Sequence, residues 1–169
     1  EDGQCDGAAA ATAANKLVSV DNVDYILGGI CSSETLAAAP IAESSHVVEI
    51  SPCSSSPDVT TAGDYIFRVY PSDSFQGAYA AEYAYNTLGA QKVAVMNCLS
   101  DWCVGLADVF TARFESLGGT IVEKQEFEQT ATDMRTQLTK VKDADPDLIY
   151  MPAYTENTVN VMKQKSELG

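Results

Sequence analysis

With 169 residues, 46% of them hydrophobic, the chain can bury a core as one domain or as parts of two. A net charge of −14 argues against nucleic acid and anionic membrane surfaces as partners, and no apolar run is long enough to cross a bilayer. Five cysteines without a CxxC pair, beside the single histidine His46, argue against a metal site; they point to an oxidising compartment with two disulfides and one thiol left over.

The opening, Glu1-Asp2-Gly3-Gln4-Cys5, does not read as a signal peptide and puts no strand ahead of the first helix, which suggests a fragment or a processed chain. Residues 7–20 are alanine-rich and predict a helix packed closely on a sheet, followed by a strand over 24–30. Residues 33–44 predict a second alanine-rich helix, kinked or cut short by Pro40. Val47-Val48-Glu49-Ile50 is a strand that ends in a Ser- and Pro-rich loop over 51–57, and 65–70 is a third strand. Pro71-Ser72-Asp73-Ser74 then breaks the rhythm as a connector.

Residues 75–88 predict a helix with Tyr79, Tyr83 and Leu88 on one face, and 92–97 a strand. Leu106, Phe110, Phe114 and Leu117 recur at helical spacing in 103–117, which Gly118-Gly119 closes. A strand over 120–127 leads to a helix over 130–142, with a capped start at Thr130 and Asp133. A strand over 148–151 and a helix over 155–168 complete the chain. Strands alternating with helices predict parallel sheets built from βαβ units. The connector near 70–74 allows a crossover between two lobes; a single six-stranded sheet is the alternative.

In such folds ligands bind outside the carboxyl ends of the strands. Those ends carry hydroxyls at Ser32, Ser33, Ser51, Ser54 and Ser55, and large aromatics at Trp102 and Tyr154. Tyr25-Ile26-Leu27-Gly28-Gly29-Ile30-Cys31-Ser32-Ser33 empties a strand into a helix N-terminus, a site for a small carboxylate or simply a cap. Hydroxyls and rings together suit a small amphiphile, against ordinary partial burial for the two aromatics. GxSxG, P-loop and GxGxxG patterns are absent. Cys98 and Cys103 flank Trp102 at a spacing that allows a small disulfide loop; a reactive thiol is the other reading, with no histidine to activate it.

The run from Cys5-Asp6 through Tyr25–Thr35, Ile50-Ser51-Pro52, Phe67-Arg68-Val69 and Gln76-Gly77 to Asp147-Leu148-Ile149-Tyr150 resembles the periplasmic binding proteins for branched-chain amino acids. These are type I solute-binding proteins of ABC importers. The resemblance implies two doubly wound α/β lobes, each incomplete here, with 1–71 part of lobe one and 72–169 part of lobe two. It implies hinge closure on an amino acid, an ABC transporter permease as partner, a periplasmic or cell-surface location, and neither cofactor nor catalysis. By position, Ser32 would hold the ligand carboxylate, the Cys53 backbone and Ser55 would meet carboxylate and ammonium, and Trp102 and Tyr154 would close over it. The resemblance also implies a Cys5–Cys31 disulfide. It places two strands of lobe one before Glu1 and the acidic partner of the ligand ammonium beyond Gly169, so the 169 residues alone should bind amino acids poorly. A sensory ectodomain of the same fold and a single-sheet flavodoxin-like enzyme are the rival readings.

Overall fold

The computed structural model describes residues 1–169, which divide into two compact units, Glu1–Asp73 and Ser74–Gly169. In the first, helix α1 (Gly7–Ser19), strand β1 (Tyr25–Leu27), helix α2 (Ser32–Ser44), strand β2 (Val48–Ser51) and strand β3 (Ile66–Arg68) follow one another, with a short 3₁₀ turn at Pro57–Thr61 before β3. The three strands form a parallel sheet in the order β1-β2-β3. The strand expected over 24–30 keeps its ladder only at Tyr25–Leu27, because the chain turns at Gly28-Gly29.

Helix α1 starts on Asp6, whose carboxylate accepts the Ala9 N–H at 2.8 Å and so satisfies one of the free first-turn donors. Alanines on α1 and α2 bring these helices close together. Pro40 neither ends nor divides α2, contrary to the sequence expectation: the helix continues to Ser44, and the proline lies on its exposed side. The small core of this unit is Ile26, Ala39, Ala42, Val47, Val59 and Ile66. All these groups lie on the helix-covered side of the sheet. On its other side Leu27, Ile50 and Phe67 form one row in register across the strands, and all three are exposed.

The second unit holds most of α3 (Asp73–Glu82), a π-helical turn at Tyr83–Thr87, β4 (Lys92–Cys98), α4 (Asp101–Ser116), β5 (Thr120–Phe127), α5 (Arg135–Asp143), β6 (Leu148–Tyr150) and α6 (Thr155–Leu168). Its parallel sheet runs β5-β4-β6. The six strands therefore make two separate sheets, and the single six-stranded alternative falls away. Val93 to Cys98 of central β4 are buried without a break, as a strand covered on both faces must be. Val93 and Val95 face a core of Ala81, Ala84, Ala107, Phe110 and Phe114; Met96 and Cys98 face one of Cys103, Phe127, Met134, Leu138 and Val161.

The structure settles which face of α3 packs and where α5 starts, the latter differing from the sequence reading. Tyr79, Tyr83 and Leu88 lie in solvent, and α3 packs instead through Ala81 and its π-turn through Ala84. Helix α5 begins at Arg135, not at Thr130. Its start is set from a distance: Gln164 of α6 accepts the Met134 N–H at 2.7 Å and donates to the Thr132 carbonyl at 2.7 Å. Gly118 closes α4 at φ +97°, and a side chain at Gly119 would strike the Phe114 ring.

Candidate functional site

The carboxyl ends of β1 and β2 are joined by hydroxyls. Gly29 sits at φ +68°, where an added Cβ would collide with Thr35. Its carbonyl accepts from Ser51 Oγ at 2.5 Å, Ser54 Oγ at 2.9 Å and Thr35 Oγ1 at 3.2 Å. Ser51 Oγ in turn accepts the Ser54 N–H at 2.9 Å. Ser51 and Ser54 are buried and spend their polar atoms on this knot. It closes a turn whose backbone groups would otherwise be buried without partners.

The start of α2 is braced from outside as well. Cys31, its N-cap residue, is bonded to Cys5 in a disulfide with Cα atoms 5.3 Å apart. The Glu34 carboxylate spans the bridge: one oxygen accepts the Cys5 N–H at 2.9 Å and the other the Cys31 N–H at 2.9 Å. A carboxylate in the first turn is also favoured by the helix dipole. Ser32, 2% exposed, accepts the Ser56 N–H on its hydroxyl at 3.1 Å. Ser55 Oγ donates to Asp73 Oδ2 at 2.8 Å, while the Asp73 N–H returns a bond of 2.8 Å to the Ser55 carbonyl. Cys53 is exposed and carries the free thiol; its N–H reaches Ser51 Oγ at 3.3 Å. Ser32, Cys53 and Ser55 thus lie on two neighbouring strand-end segments tied together by the Ser32–Ser56 bond.

In the second unit, Cys98 and Cys103 form a disulfide around the β4–α4 turn, with Cα atoms 5.5 Å apart. Ser100 caps α4 by accepting the Cys103 N–H at 3.3 Å. Trp102, half-buried, is held between these anchors, its ring 5.0 Å from that of Tyr154, the N-cap residue of α6. The two aromatics named from the sequence therefore make one surface. Cys98 N–H donates to the Pro152 carbonyl at 3.1 Å, which ties the two turns together.

Two positioning residues, Glu34 and Asp73, and one buried carboxylate, Glu49, were missed from the sequence. Glu34, three residues after Cys31, stands where a capping-box carboxylate belongs, so that signal was present. Asp73 was hidden in a segment that reads as a connector. Glu49 was visible as a charge inside an apolar strand; it is fully buried, and burial pushes its carboxyl up to about 8. No group of three or more His, Cys, Asp or Glu side chains is arranged to hold a metal ion. No helix is long and apolar enough to cross a membrane.

A family described as periplasmic binding protein matches residues 1–169, and the chain belongs to that family. Its fold is the type I periplasmic-binding-protein fold. The leucine binding protein LivK of Thermotoga maritima superposes with a TM-score of 0.93 at 34% identity, over 99% of this chain and 48% of that one. The branched-chain amino acid transporter substrate binding protein LivJ of Streptococcus pneumoniae, in complex with isoleucine, superposes with a TM-score of 0.84 at 31% identity, over 100% of this chain and 48% of that one. An amino acid binding protein of Pseudomonas aeruginosa is 30% identical over 169 residues, 99% of this chain and 45% of the relative. The chain spans about half the length of the curated relatives it matches.

Proposed function

We propose that this chain is part of a non-catalytic, extracytoplasmic solute-binding protein that carries an amino acid, branched-chain or a related small amphiphile, to the permease of an ABC importer. Residues 1–71 belong to one lobe and 72–169 to the other, and the ligand draws groups from both. The observation that carries the reading is the fixed β1–α2 turn. A helix N-terminus held by a disulfide, a forked carboxylate and three hydroxyls on one carbonyl binds a carboxylate with little ordering left to do. The isoleucine held by the Streptococcus pneumoniae relative supports the ligand class.

Hydrogen-bond direction supports the proposed roles. Ser32 accepts from the Ser56 N–H, which leaves its own hydrogen to donate to the ligand carboxylate. Ser55 gives its hydrogen to Asp73, which leaves lone pairs for the ammonium. The Cys53 backbone joins on the carboxylate side, and Trp102 with Tyr154 covers the apolar part. Calorimetric titration of the longer protein that this reading calls for with leucine, isoleucine and valine, and with glucose as control, tests it. Saturable binding of at least one amino acid and none of glucose is expected. Absence of binding to all three amino acids would overturn the reading.

A further inference from the structure

The Cys98–Cys103 bridge spans 5 positions, so it restrains the unfolded chain far less than Cys5–Cys31, which spans 26. What it restrains in the folded chain is the ground beneath Trp102. Cys98 is the last residue of β4 and Cys103 the third of α4, so the bridge runs from strand to helix past the ring. A helical side chain leans toward the N-terminus and covers the turn before its own Cα. Trp102 is the second residue of α4, so the turn it leans over is the one the bridge closes. Both cysteines are fully buried in the core of Met96, Phe127 and Met134, against which Trp102 and Tyr154 pack. Ser100 engages the bridge at both ends. A bridged sulfur has no hydrogen, so the Ser100 hydroxyl donates to Cys98 Sγ at 3.3 Å, and its oxygen accepts the Cys103 N–H at 3.3 Å. The Leu99 N–H donates to the Phe127 carbonyl at 2.8 Å, which fastens the same turn to the end of β5.

We propose, resting on the ligand-covering role given above to Trp102, that Cys98 and Cys103 are positioning residues for ligand binding. Their bridge holds the Trp102 ring in one place beside Tyr154, so the ring meets the apolar part of the ligand already ordered. The energetic basis is preorganisation. The first turn of a helix is its least restrained part, since its N–H groups lack intrahelical partners. A half-buried ring on such a turn exchanges among rotamers unless the floor beneath it is fixed, and that freedom must be given up when a ligand arrives. The bridge removes the cost in advance. Its two sulfurs belong to residues that are 0% exposed, which shields them from thiols in solution and makes the restraint a permanent one. Cys5–Cys31 does the corresponding work at the Ser32 turn, where it fixes a backbone rather than a ring.

Two readouts test this role, one without ligand and one with it. In the 169-residue chain, time-resolved emission anisotropy of Trp102, the single tryptophan, follows the motion of the ring. Cys98→Ala/Cys103→Ala is expected to raise the amplitude of the subnanosecond component about twofold while far-UV circular dichroism stays unchanged. Cys98→Val/Cys103→Ala, which fills more of the space left by the sulfurs, serves if the first variant does not fold. Unchanged ring motion would overturn the proposal, and so would loss of the fold in both variants, because the bridge would then hold the unit rather than the ring. With ligand, calorimetry of isoleucine binding to the longer protein follows a double-mutant cycle. Removing the bridge is expected to weaken binding about fivefold and Trp102→Ala about tenfold. The two together are expected to cost no more than Trp102→Ala alone, since no ring is left to position. Losses that multiply to about fiftyfold would overturn the proposal, because the bridge would then act on something other than Trp102. An unsubstituted protein that binds no amino acid would overturn the functional reading and this role with it. Isoleucine bound equally well with and without the bridge would overturn the positioning role alone.

Discussion

The two units solve the same packing problem to different degrees. In Ser74–Gly169 the central strand β4 is buried throughout and faced on both sides by large side chains, with Phe110 stacked on Tyr150 at 3.8 Å and on Phe114 at 5.6 Å. In Glu1–Asp73 the strands are three or four residues long, alanines dominate the core, one sheet face is bare, and a carboxyl sits unpartnered beneath the other. The first unit replaces apolar packing with directional bonds: the hydroxyl knot on Gly29, the Glu34 fork and a disulfide that closes a long loop. Such bonds contribute less than bulk burial does but fix geometry more sharply.

That contrast can be broken by core truncation. Phe110→Ala should destabilise the second unit by about 3–5 kcal/mol, since the ring is fully buried and its stacking partners cannot collapse into the space. Ile26→Ala should cost the first unit about 2 kcal/mol, the low end for such changes, because the side chain already borders an open cavity. Denaturant unfolding followed separately in the two units reads both, and equal costs would remove the distinction.

Disulfide removal sharpens it from the other side. Cys5–Cys31 spans 26 positions and should contribute about 3.5 kcal/mol in the chain-entropy account, against about 2 kcal/mol for Cys98–Cys103, which spans 5. Cys5→Ala/Cys31→Ala and Cys98→Ala/Cys103→Ala, compared by urea midpoints, should rank in that order. The reverse order would mean that the short bridge carries native packing around Trp102 rather than restraint of the unfolded chain.

Glu49 gives a pH signature to the first unit alone. Burial raises its carboxyl from 4.5 to about 8, so the folded chain keeps a proton that the unfolded chain has released. Its contribution is therefore fully present below 4.5 and is lost as the pH rises to 8, by up to about 1.4 kcal/mol per pH unit. The lowered carboxyls of Asp133 and Asp147 act in the opposite sense and below that window. Glu49→Gln should flatten unfolding free energies between pH 5 and 8; a slope that persists would assign it to another group.

Much of this architecture was legible because local signals agreed with tertiary ones. The Phe110 and Phe114 spacing marked α4, and the Gly118-Gly119 stop holds because Phe114 fills the place of a side chain. The turns at Ser32 and Trp102 could be located as strand ends. What was not legible depends on partners distant in sequence. Gln164 sets the start of α5 across 30 positions, so the local Thr130–Asp133 pattern misled. Ser51 and Ser54 looked as available as Ser32 and Ser55, and only the position of the Gly29 carbonyl separates those that bind the fold from those with a hydrogen or a lone pair to spare.

The proposed function requires that Ser32 and Trp102 both respond to one ligand, and the chain's single tryptophan can report on it. Titrating isoleucine into the longer protein while following Trp102 emission should give a saturable blue shift as the half-buried ring loses water. Repeating it with Ser32→Ala should move the midpoint at least about tenfold higher with the same final shift, as loss of a charge-assisted bond of about 1.5–3 kcal/mol requires. An unchanged midpoint, or isoleucine bound calorimetrically while the emission stays fixed, would contradict the claim.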